Sequence, residues 1–431
     1  MQHFQAHGYD LAVISGTTRQ QKLYRHMGFI PFGPLVGTPG ALYQPMYQSL
    51  ESFQEKVESV SDNGNDPGVN DVAGGKAGIA WTKPFVNLMP GPVQVHQDVL
   101  EAFRVEPFSH RSDQFIVELK ETRRMLCGLV GARHAEIFQG SGTLANDVIA
   151  AELSLEHFRG LILINGEFGE RLKDHAERQG LEFDVICAEW GDPFDYSLVE
   201  QYLEKHEGIG WLWFVHCETS TGVLNDFPGI LAISRKRRIK VCIDAISSIG
   251  TLPVALGDAY LASCVSGKGL ASLPGLAVVF HNHEIASGGR KVPRYFDLGY
   301  YAAANGVPFT FSSNMLHAFR AALKRFGTEC RFEMIRQMSE WLRAELRKRG
   351  HSILAPDTCA SPAVTTVVLP ASISSSRIGK RLEERGCLLS CNSEYLLKRN
   401  WLQICLMGEC SLENLAWAVD QLSDVGEENI T

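Results

Sequence analysis

The chain has 431 residues, with 41 basic and 49 acidic side chains and a formal net charge of −8. Domains commonly run to about 100–200 residues, so this length suffices for two or three domains with a large buried core. Hydrophobic residues make up 45% and charged residues 21%, as in an average globular protein. The one short basic run, residues 235–238, is expected to be a solvated helix face, and we predict no nucleic-acid partner.

Eleven cysteines are scattered along the chain, and no Cys-x-x-Cys pair occurs. An odd number without regular spacing is typical of reduced thiols and not of a disulfide framework or a metal site. The N-terminus has no basic region followed by an apolar stretch, and no run approaches the roughly 18 apolar residues that a membrane span needs. We therefore predict a cytoplasmic protein with no membrane association and no metal site.

The N-terminal segment has its own pattern. Residues 8–18, GYDLAVISGTT, predict a strand and turn, and residues 19–29, RQQKLYRHMGF, predict a short helix. The segment resembles the end of a GNAT acetyltransferase, whose closing helix has a similar Arg-x-x-x-Leu-Tyr-x-x-x-Gly-Phe pattern. No coenzyme-binding Gly-rich loop precedes Gly8, so we interpret residues 1–55 as a partial, inactive GNAT-like segment; a chance likeness is the alternative. Residues 56–80, rich in Gly, Asn, Asp and Ser, are typical of a linker.

Beyond the linker, apolar strand-like runs alternate with helical patterns. The runs are residues 135–138, 160–165, 182–187, 211–217, 240–244 and 275–280, with one more before Lys268. Because they are apolar on both faces, they predict an α/β fold with a mostly parallel sheet flanked by helices, in a large domain at 81–312. A strand at 363–370 and helices at 374–386 and from 411 predict a smaller C-terminal α+β domain, residues 313–431.

Four polar segments follow predicted strands, where open α/β sheets bind ligands. They are GSGTLAND (140–147), HCETSTGVLND (216–226), Asp244 and Lys268. The first suits a phosphate at a helix N-terminus, although an ordinary helix cap would look the same. A buried carboxylate such as Asp244 needs a cationic partner. Lys268 is flanked by small residues; if desolvated it would be a nucleophile toward an aldehyde, and the alternative is a surface lysine in a Gly-rich turn.

The order and spacing of these segments resemble the class V pyridoxal-phosphate aminotransferases of fold type I, in particular the alanine–glyoxylate, serine–pyruvate and 2-aminoethylphosphonate group. The likeness runs from NLMPGPVQVHQDVLEAF (87–103) to about residue 422. It implies a seven-stranded sheet, pyridoxal 5′-phosphate as cofactor, Lys268 as the Schiff-base lysine and Asp244 as the partner of the ring nitrogen. Further implied cofactor contacts are Ser141, Gly142, Thr143, Phe168, which would stack on the ring, Thr219, Ser266 and Thr310. In the family the threonine matching Thr310 reaches the phosphate of a neighbouring subunit, which implies a homodimer with shared active sites.

Two positions depart from the family pattern. Gly267 precedes the lysine where the family commonly has Gln or Asn, so phosphate binding would depend more on residues 141–143 and Thr310. Gln403 stands where the family carries the arginine that binds the substrate carboxylate, and a neutral amide cannot replace a bidentate Arg–carboxylate pair. Either Arg111, in a His-Arg-Ser stretch, supplies the substrate-binding cation, or the substrate lacks a conventional α-carboxylate.

The resemblance implies an aminotransferase that moves an amino group from a small amino donor to a 2-oxo acid of the pyruvate or glyoxylate class by a ping-pong mechanism. Lys268 would also move the proton between donor carbon and cofactor. The same fold serves lyases and cysteine desulfurases; there Cys391, in the turn LLSCNSE, would be the nucleophile, although desulfurases usually have His at the position of Gly267. A non-catalytic descendant, suggested by Gly267 and Gln403, is a third reading, against which the presence of both Lys268 and Asp244 argues.

Overall fold

The computed structural model describes residues 11–17, 24–25, 29–38, 41–49, 85–326 and 330–427. The chain divides into two compact units, Met1–Ala80 and Trp81–Thr431. The predicted linker and most of the predicted helix at 19–29 lie outside the described residues.

The described strands of the first unit form an antiparallel sheet. They are β1 (Leu11–Thr17), β2 (Ile30–Pro31), β3 (Val36–Thr38) and β4 (Ala41–Ser49). Strand β4 pairs with each of the other three. Strand β1 lies within the strand predicted at 8–18, and the GNAT-like interpretation of the segment stays a prediction.

The second unit contains the remaining strands and the α-helices described below. The strands are β5 (Val86–Asn87), β6 (His134–Gln139), β7 (Arg159–Ile164), β8 (Phe183–Cys187), β9 (Ile209–Val215), β10 (Cys217–Glu218), β11 (Val223–Leu224), β12 (Lys240–Asp244), β13 (Leu261–Val265), β14 (Leu276–His281), β15 (Ser352–Ile353), β16 (Val364–Val368), β17 (Cys387–Leu388) and β18 (Trp401–Cys405). The helices are α1 (Gln97–Phe103), α2 (Asp113–Val130), α3 (Gly142–Leu153), α4 (Glu167–Arg178), α5 (Tyr196–Lys205), α6 (Phe227–Arg235), α7 (Leu298–Ala303), α8 (Ser313–Arg325), α9 (Arg331–Lys348), α10 (Ser375–Glu384), α11 (Glu394–Arg399) and α12 (Leu412–Glu427). Two 3-10 turns span Gly289–Lys291 and Asp357–Cys359.

Seven strands form the central sheet, in the order β6-β14-β13-β12-β9-β7-β8. Neighbours are parallel except β14, which is antiparallel to both β13 and β6. Each strand-like run that the sequence predicted for the large domain overlaps one of these seven strands. The prediction of an α/β fold with a mostly parallel seven-stranded sheet is therefore confirmed.

Both faces of this sheet are buried, as strand β9 illustrates. Trp211 and Trp213 point into one hydrophobic cluster, and Leu212 and Phe214 point into another. Successive side chains of a strand alternate between faces, so an uninterrupted apolar run is what a sheet covered on both sides requires. Helices supply the covering surfaces.

Helix α2 shows how the sequence sets such a helix. Phe115, Leu119 and Leu126 are fully buried, and their spacing of four and seven residues places them on one face. The Ser112 side chain caps the first turn by accepting from the Phe115 N–H at 3.3 Å. Gly131, at φ 69°, ends the helix in the left-handed region that favours glycine.

The C-terminal part has a separate small sheet. Strands β15, β16 and β18 are antiparallel, and β17 pairs in parallel with β5 from the start of the unit. Their core includes side chains of α9, α10 and α12 together with Val86 and Leu88. Helix α8 packs with α1 and α2. The predicted division of the second unit at residues 312 and 313 stays a prediction.

The structure also bears on possible membrane spans and on the cysteines. Among the described helices, none combines the length and the apolar character that a membrane span requires. All eleven cysteines are described, and none of them forms a disulfide.

Candidate active site

A cavity of about 600 Å³ opens at the carboxyl ends of central strands. Val215 ends β9, Asp244 ends β12 and Val265 ends β13, and all three line the cavity. This is where open α/β sheets bind ligands. Of the residues predicted from the sequence, the cavity brings together Ser141, Gly142, Thr143, Phe168, Thr219, Asp244 and Lys268.

Lys268 follows β13 and turns its amine into this cavity. Its Nζ donates a hydrogen bond to Ser247 Oγ at 3.1 Å and lies 5.0 Å from the centre of the Phe168 ring. Burial lowers the pKa of Lys268 below the ordinary 10.5, while the Asp244 carboxylate acts in the opposite direction. A lowered pKa favours the neutral amine, which is the nucleophilic form.

Asp244 ends β12 and is buried. Its Oδ2 accepts from Asn146 Nδ2 at 2.9 Å, and its Oδ1 accepts from the Ile246 N–H at 2.9 Å. Burial raises the pKa of Asp244, whereas these two hydrogen bonds and the Lys268 ammonium lower it. Both carboxylate oxygens are thus fixed in direction, and such a group is suited to a cationic N–H of a ligand.

The loop between β6 and α3 presents a helix N-terminus to the cavity. Helix α3 begins at Gly142, and its N-cap Ser141 makes no side-chain capping bond. A Cβ on Gly142 would lie 2.7 Å from Ile246 Cδ1, so only glycine fits there without a shift. Backbone N–H groups and the helix dipole make this end an anion site, with the Ser141 and Thr143 hydroxyls nearby.

Glu218 fixes the start of α4 and with it Phe168. Its fully buried carboxylate accepts from the N–H groups of Phe168 (3.3 Å), Gly169 (3.0 Å) and Ser220 (3.1 Å), and from the Ser220 hydroxyl. Burial raises the pKa of Glu218, and these donors lower it. The sequence motif containing Glu218 was identified, but the residue itself was missed. The available signal was a carboxylate directly after an apolar strand.

Thr219 is held from both sides. Its Oγ1 lies 2.5 Å from Ser247 Oγ, and its carbonyl accepts from Gln403 Nε2. Gln403 also donates to Thr366 Oγ1 at 2.9 Å and accepts from Tyr395 Oη at 3.2 Å. The Gln403 amide is therefore buried and engaged within the protein, and it is not among the residues that line the cavity.

Three further predicted residues also lie outside the cavity lining of their own chain. Ser266 is buried, and its Oγ donates to the Leu273 carbonyl and accepts from the Leu276 N–H. Arg111 and Thr310 are exposed. Their roles in binding stay predictions.

The unpredicted residues of the cavity lining include four with amide, cationic, imidazole or hydroxyl side chains: Asn146, Arg171, His175 and Ser247. Helical spacing was an available signal for three of them. Arg171 and His175 follow Phe168 by three and seven residues on α4, and Asn146 follows Thr143 by three on α3. Such positions share one helix face. Ser247 had a weaker signal, as a small hydroxyl residue in the turn after Asp244.

The departure at Gly267 has a steric cause. A Cβ on Gly267 would lie 2.7 Å from Pro274 Cα, closer than real Cβ contacts, and its carbonyl lies close to Gly91. The family's larger polar residue therefore has no room in this packing arrangement.

Cys391, the proposed nucleophile of the alternative function, is only 3% exposed and lies in the C-terminal core. Its Sγ donates to Asn392 Oδ1 at 3.6 Å, and burial raises the thiol pKa. It does not line the cavity. A reactive cysteine needs exposure and a lowered pKa, so the desulfurase alternative is not favoured.

Comparison with known proteins agrees with an aminotransferase site. The protein-family model described as "Aminotransferase class-V" matches residues 93–391. The soluble hydrogenase 42 kDa subunit of Anabaena cylindrica is 31% identical over 298 residues, covering 66% of this chain and 78% of that protein. A 2-aminoethylphosphonate–pyruvate transaminase of Bacteroides fragilis is 24% identical over 306 residues, covering 67% and 84%. The crystal structure of ureidoglycine–glyoxylate aminotransferase from Bacillus subtilis has a TM-score of 0.74 at 25% identity, covering 81% and 95%. Because the family match spans well over half of the sequence, the chain belongs to the class V aminotransferases, pyridoxal-phosphate-dependent enzymes of fold type I.

Proposed function

We propose that the cavity binds pyridoxal phosphate through Lys268 and transfers an amino group from a small donor to a 2-oxo acid of the pyruvate or glyoxylate class. The observation that carries the proposal is that one cavity holds a buried lysine amine, a fixed carboxylate and a helix N-terminus. A ping-pong cycle follows, because donor and acceptor use the same amine-binding position in turn.

The residues present fit this cofactor. Ser141, whose hydroxyl makes no capping bond, and the first N–H groups of α3 would hold the phosphate. Asp244 would accept the ring N–H, since its oxygens are oriented by neighbouring donors. Asn146 Oδ1 is a buried acceptor without a partner among the described residues, and it lies at the same wall as Asp244. The Phe168 ring would cover one face of the bound ring.

When bound, pyridoxal phosphate supplies an aldehyde that takes up the amino group and a ring that accepts electrons. Lys268 would hold the cofactor through its aldehyde group, and its amine, once free, would move the proton of the donor carbon. Asp244 would keep the ring nitrogen of the bound cofactor protonated. Ser247, which accepts from Lys268 Nζ, and Thr219 beside it orient the lysine amine.

The substrate class is supported by relatives that differ in donor and agree in the type of acceptor. The named acceptor is pyruvate in the Bacteroides relative and glyoxylate in the Bacillus structure, and both are small 2-oxo acids. We therefore expect a small 2-oxo acid as acceptor and leave the donor to experiment.

We also propose a cytoplasmic homodimer with shared sites. Thr310 is exposed and close to the phosphate loop, because its carbonyl accepts from Gln139 Nε2 at 3.1 Å. It would reach the phosphate of a neighbouring subunit. Ile116 and Val117, beside the Phe115–Phe311 contact, are exposed apolar side chains that a second copy would cover. Light scattering should give the mass of a dimer. An active enzyme with the mass of a monomer would contradict the proposal.

The function is tested by absorbance spectroscopy of the purified protein with pyridoxal phosphate. We expect a visible band of bound cofactor that is converted by one of four donors: alanine, serine, taurine or 2-aminoethylphosphonate. Addition of pyruvate or glyoxylate should restore the band. Lys268→Ala should lack both the band and turnover. A wild-type protein without any such band would refute the proposal.

A further inference from the structure

We propose that Arg171 binds the carboxylate of the 2-oxo acid and so takes the place of the arginine that the family carries at the position of Gln403. This inference rests on the proposed function, because it assigns the anion-binding residue of the same cavity. It concerns a residue that neither sequence reasoning nor the resemblance identified.

The first observation is the direction of α4. Phe168, Arg171 and His175 are spaced by three and four residues, and all three line the cavity. Residues at these spacings share one helix face. The helix therefore presents an aromatic ring, a guanidinium and an imidazole to the same space.

The second observation is that the guanidinium and the reacting amine contact the same aromatic ring. Arg171 Cζ lies 4.9 Å from the centre of the Phe168 ring, and Lys268 Nζ lies 5.0 Å from the same centre. In a 2-oxo acid, the carboxylate is bonded directly to the carbonyl carbon that accepts the amino group. A cation for this carboxylate must therefore lie in the same part of the cavity as the lysine amine, and Arg171 and Lys268 both line this cavity and both contact the Phe168 ring.

The third observation concerns the other cations of the same cavity. The cationic or potentially cationic side chains of the cavity lining are Lys268, Arg171 and His175. Lys268 is used for the cofactor. His175 Nδ1 is 2.6 Å from Asp147 Oδ1, so a single ring nitrogen remains for a ligand, and it cannot form the bidentate pair that a guanidinium forms with a carboxylate. Arg111 is exposed and does not line the cavity of its own chain.

Arg171 also has a donor to offer. Its Nε and Nη2 both contact Glu167 Oε1 at 3.0 Å, and in the described structure Nη1 makes no further contact. The side chain is 53% exposed, and exposed ion pairs one helical turn apart are weak. Breaking the pair with Glu167 to bind a substrate carboxylate therefore costs little free energy. A guanidinium can bind that carboxylate through two parallel hydrogen bonds.

The test compares two arginines of the same helix. Arg178, like Arg171, pairs with a carboxylate four residues earlier, Asp174 at 2.6 Å, but it does not line the cavity. We expect Arg171→Gln to raise the KM for pyruvate or glyoxylate by about 10- to 100-fold, as for loss of hydrogen bonds to a charged group. Arg178→Gln should leave this KM unchanged, and Arg171→Lys should recover part of the affinity.

A second readout does not depend on turnover. Propionate has the carboxylate of a 2-oxo acid but lacks the 2-oxo group that accepts the amino group, so it binds without reacting. Calorimetry should show propionate binding to the wild type and to Arg178→Gln, with a 10- to 100-fold weaker dissociation constant for Arg171→Gln. The dissociation constant of pyridoxal phosphate should be the same in all three proteins, which a general disruption of the site would not give.

The outcomes separate the inference from the proposed function. Absence of a cofactor band in the wild type refutes the function, and propionate binding still tests Arg171. If propionate fails to bind the wild type, or binds Arg171→Gln equally well, Arg171 is not the carboxylate contact. If Arg171→Gln raises only the KM for 2-aminoethylphosphonate, the residue binds a phosphonate and the inference is wrong.

Discussion

Replacement of Glu218 by Gln tests whether the buried carboxylate positions α4. The carboxylate has four donors: three on Oε1 and the Gly169 N–H on Oε2. A glutamine side chain loses fewer hydrogen bonds when its amide oxygen takes the place of Oε1 and accepts from the three donors. Its NH₂ group then faces the Gly169 N–H, which is also a donor. This loses one hydrogen bond to a charged acceptor, worth about 1.5–3 kcal/mol, and leaves a buried N–H unpaired. A neutral amide is easier to bury, as the raised pKa of Glu218 indicates, so we expect a net loss of about 1–3 kcal/mol.

The assay is denaturant unfolding of the wild type, Glu218→Gln and a matched control. Glu177→Gln, on the same helix, removes an exposed carboxylate 3.5 Å from Lys173, and should change stability by no more than about 0.5 kcal/mol. Release of Gly169 should also displace Phe168 and raise the cofactor dissociation constant by up to about tenfold, since tenfold corresponds to about 1.4 kcal/mol. Equal unfolding midpoints for Glu218→Gln and the wild type would refute the reasoning.

Four more substitutions probe other parts of the structure. Asp244→Asn keeps the shape but not the charge, and should reduce turnover by about 10²- to 10³-fold, measured at saturating cofactor; full activity would exclude the proposed role. Burial lowers the pKa of His216 to about 4, so its neutral form stabilises the fold above pH 6.5, and this contribution is lost as the pH falls from 6.5 toward 4. Between pH 7 and 5 the contribution of His216 to the free energy of unfolding should fall by about 2 kcal/mol, and His216→Gln should remove this part of the pH dependence. Cys391→Ser should lower stability by about 1–2 kcal/mol through the buried hydroxyl and leave turnover unchanged, whereas lost turnover would revive the desulfurase reading. Gly267→Ala should cost about 1–3 kcal/mol, because Pro274 must shift; a wild-type unfolding midpoint would show that the packing yields.

The fold could be predicted from the sequence because the parallel strands are apolar on both faces. The run at 240–244 coincides with β12, and Asp244 breaks the apolar pattern at the strand end that faces the cavity. A charge at the end of a fully buried strand is a strong local signal. The pairing of β14 with β6 and β13 was beyond such reasoning, because strand order depends on contacts between residues far apart in sequence.

The candidate site could be predicted only in part, because sequence motifs show which residues lie near a ligand and not which side chains support them. Ser247 and Asn146 contact Lys268 and Asp244 through hydrogen bonds that form only when separate segments meet. Gln403 was expected at the substrate, since its position matches a substrate-binding arginine. The structure instead places its amide behind Thr219.

The two departures from the family pattern argue for replacement and against decay of the site. Gly267 accommodates Pro274, which leaves no room for a side chain, and Gln403 has hydrogen-bond partners on both sides of its amide, Tyr395 among them. A site released from selection would be expected to accumulate cavities and unpaired buried groups at changed positions, because most substitutions in a core are destabilising. Both changed positions are instead well packed or fully hydrogen-bonded, and they surround an intact lysine and aspartate. The non-catalytic reading suggested by Gly267 and Gln403 therefore loses its support, and what remains to be explained is the cation for the substrate, which Arg171 would supply.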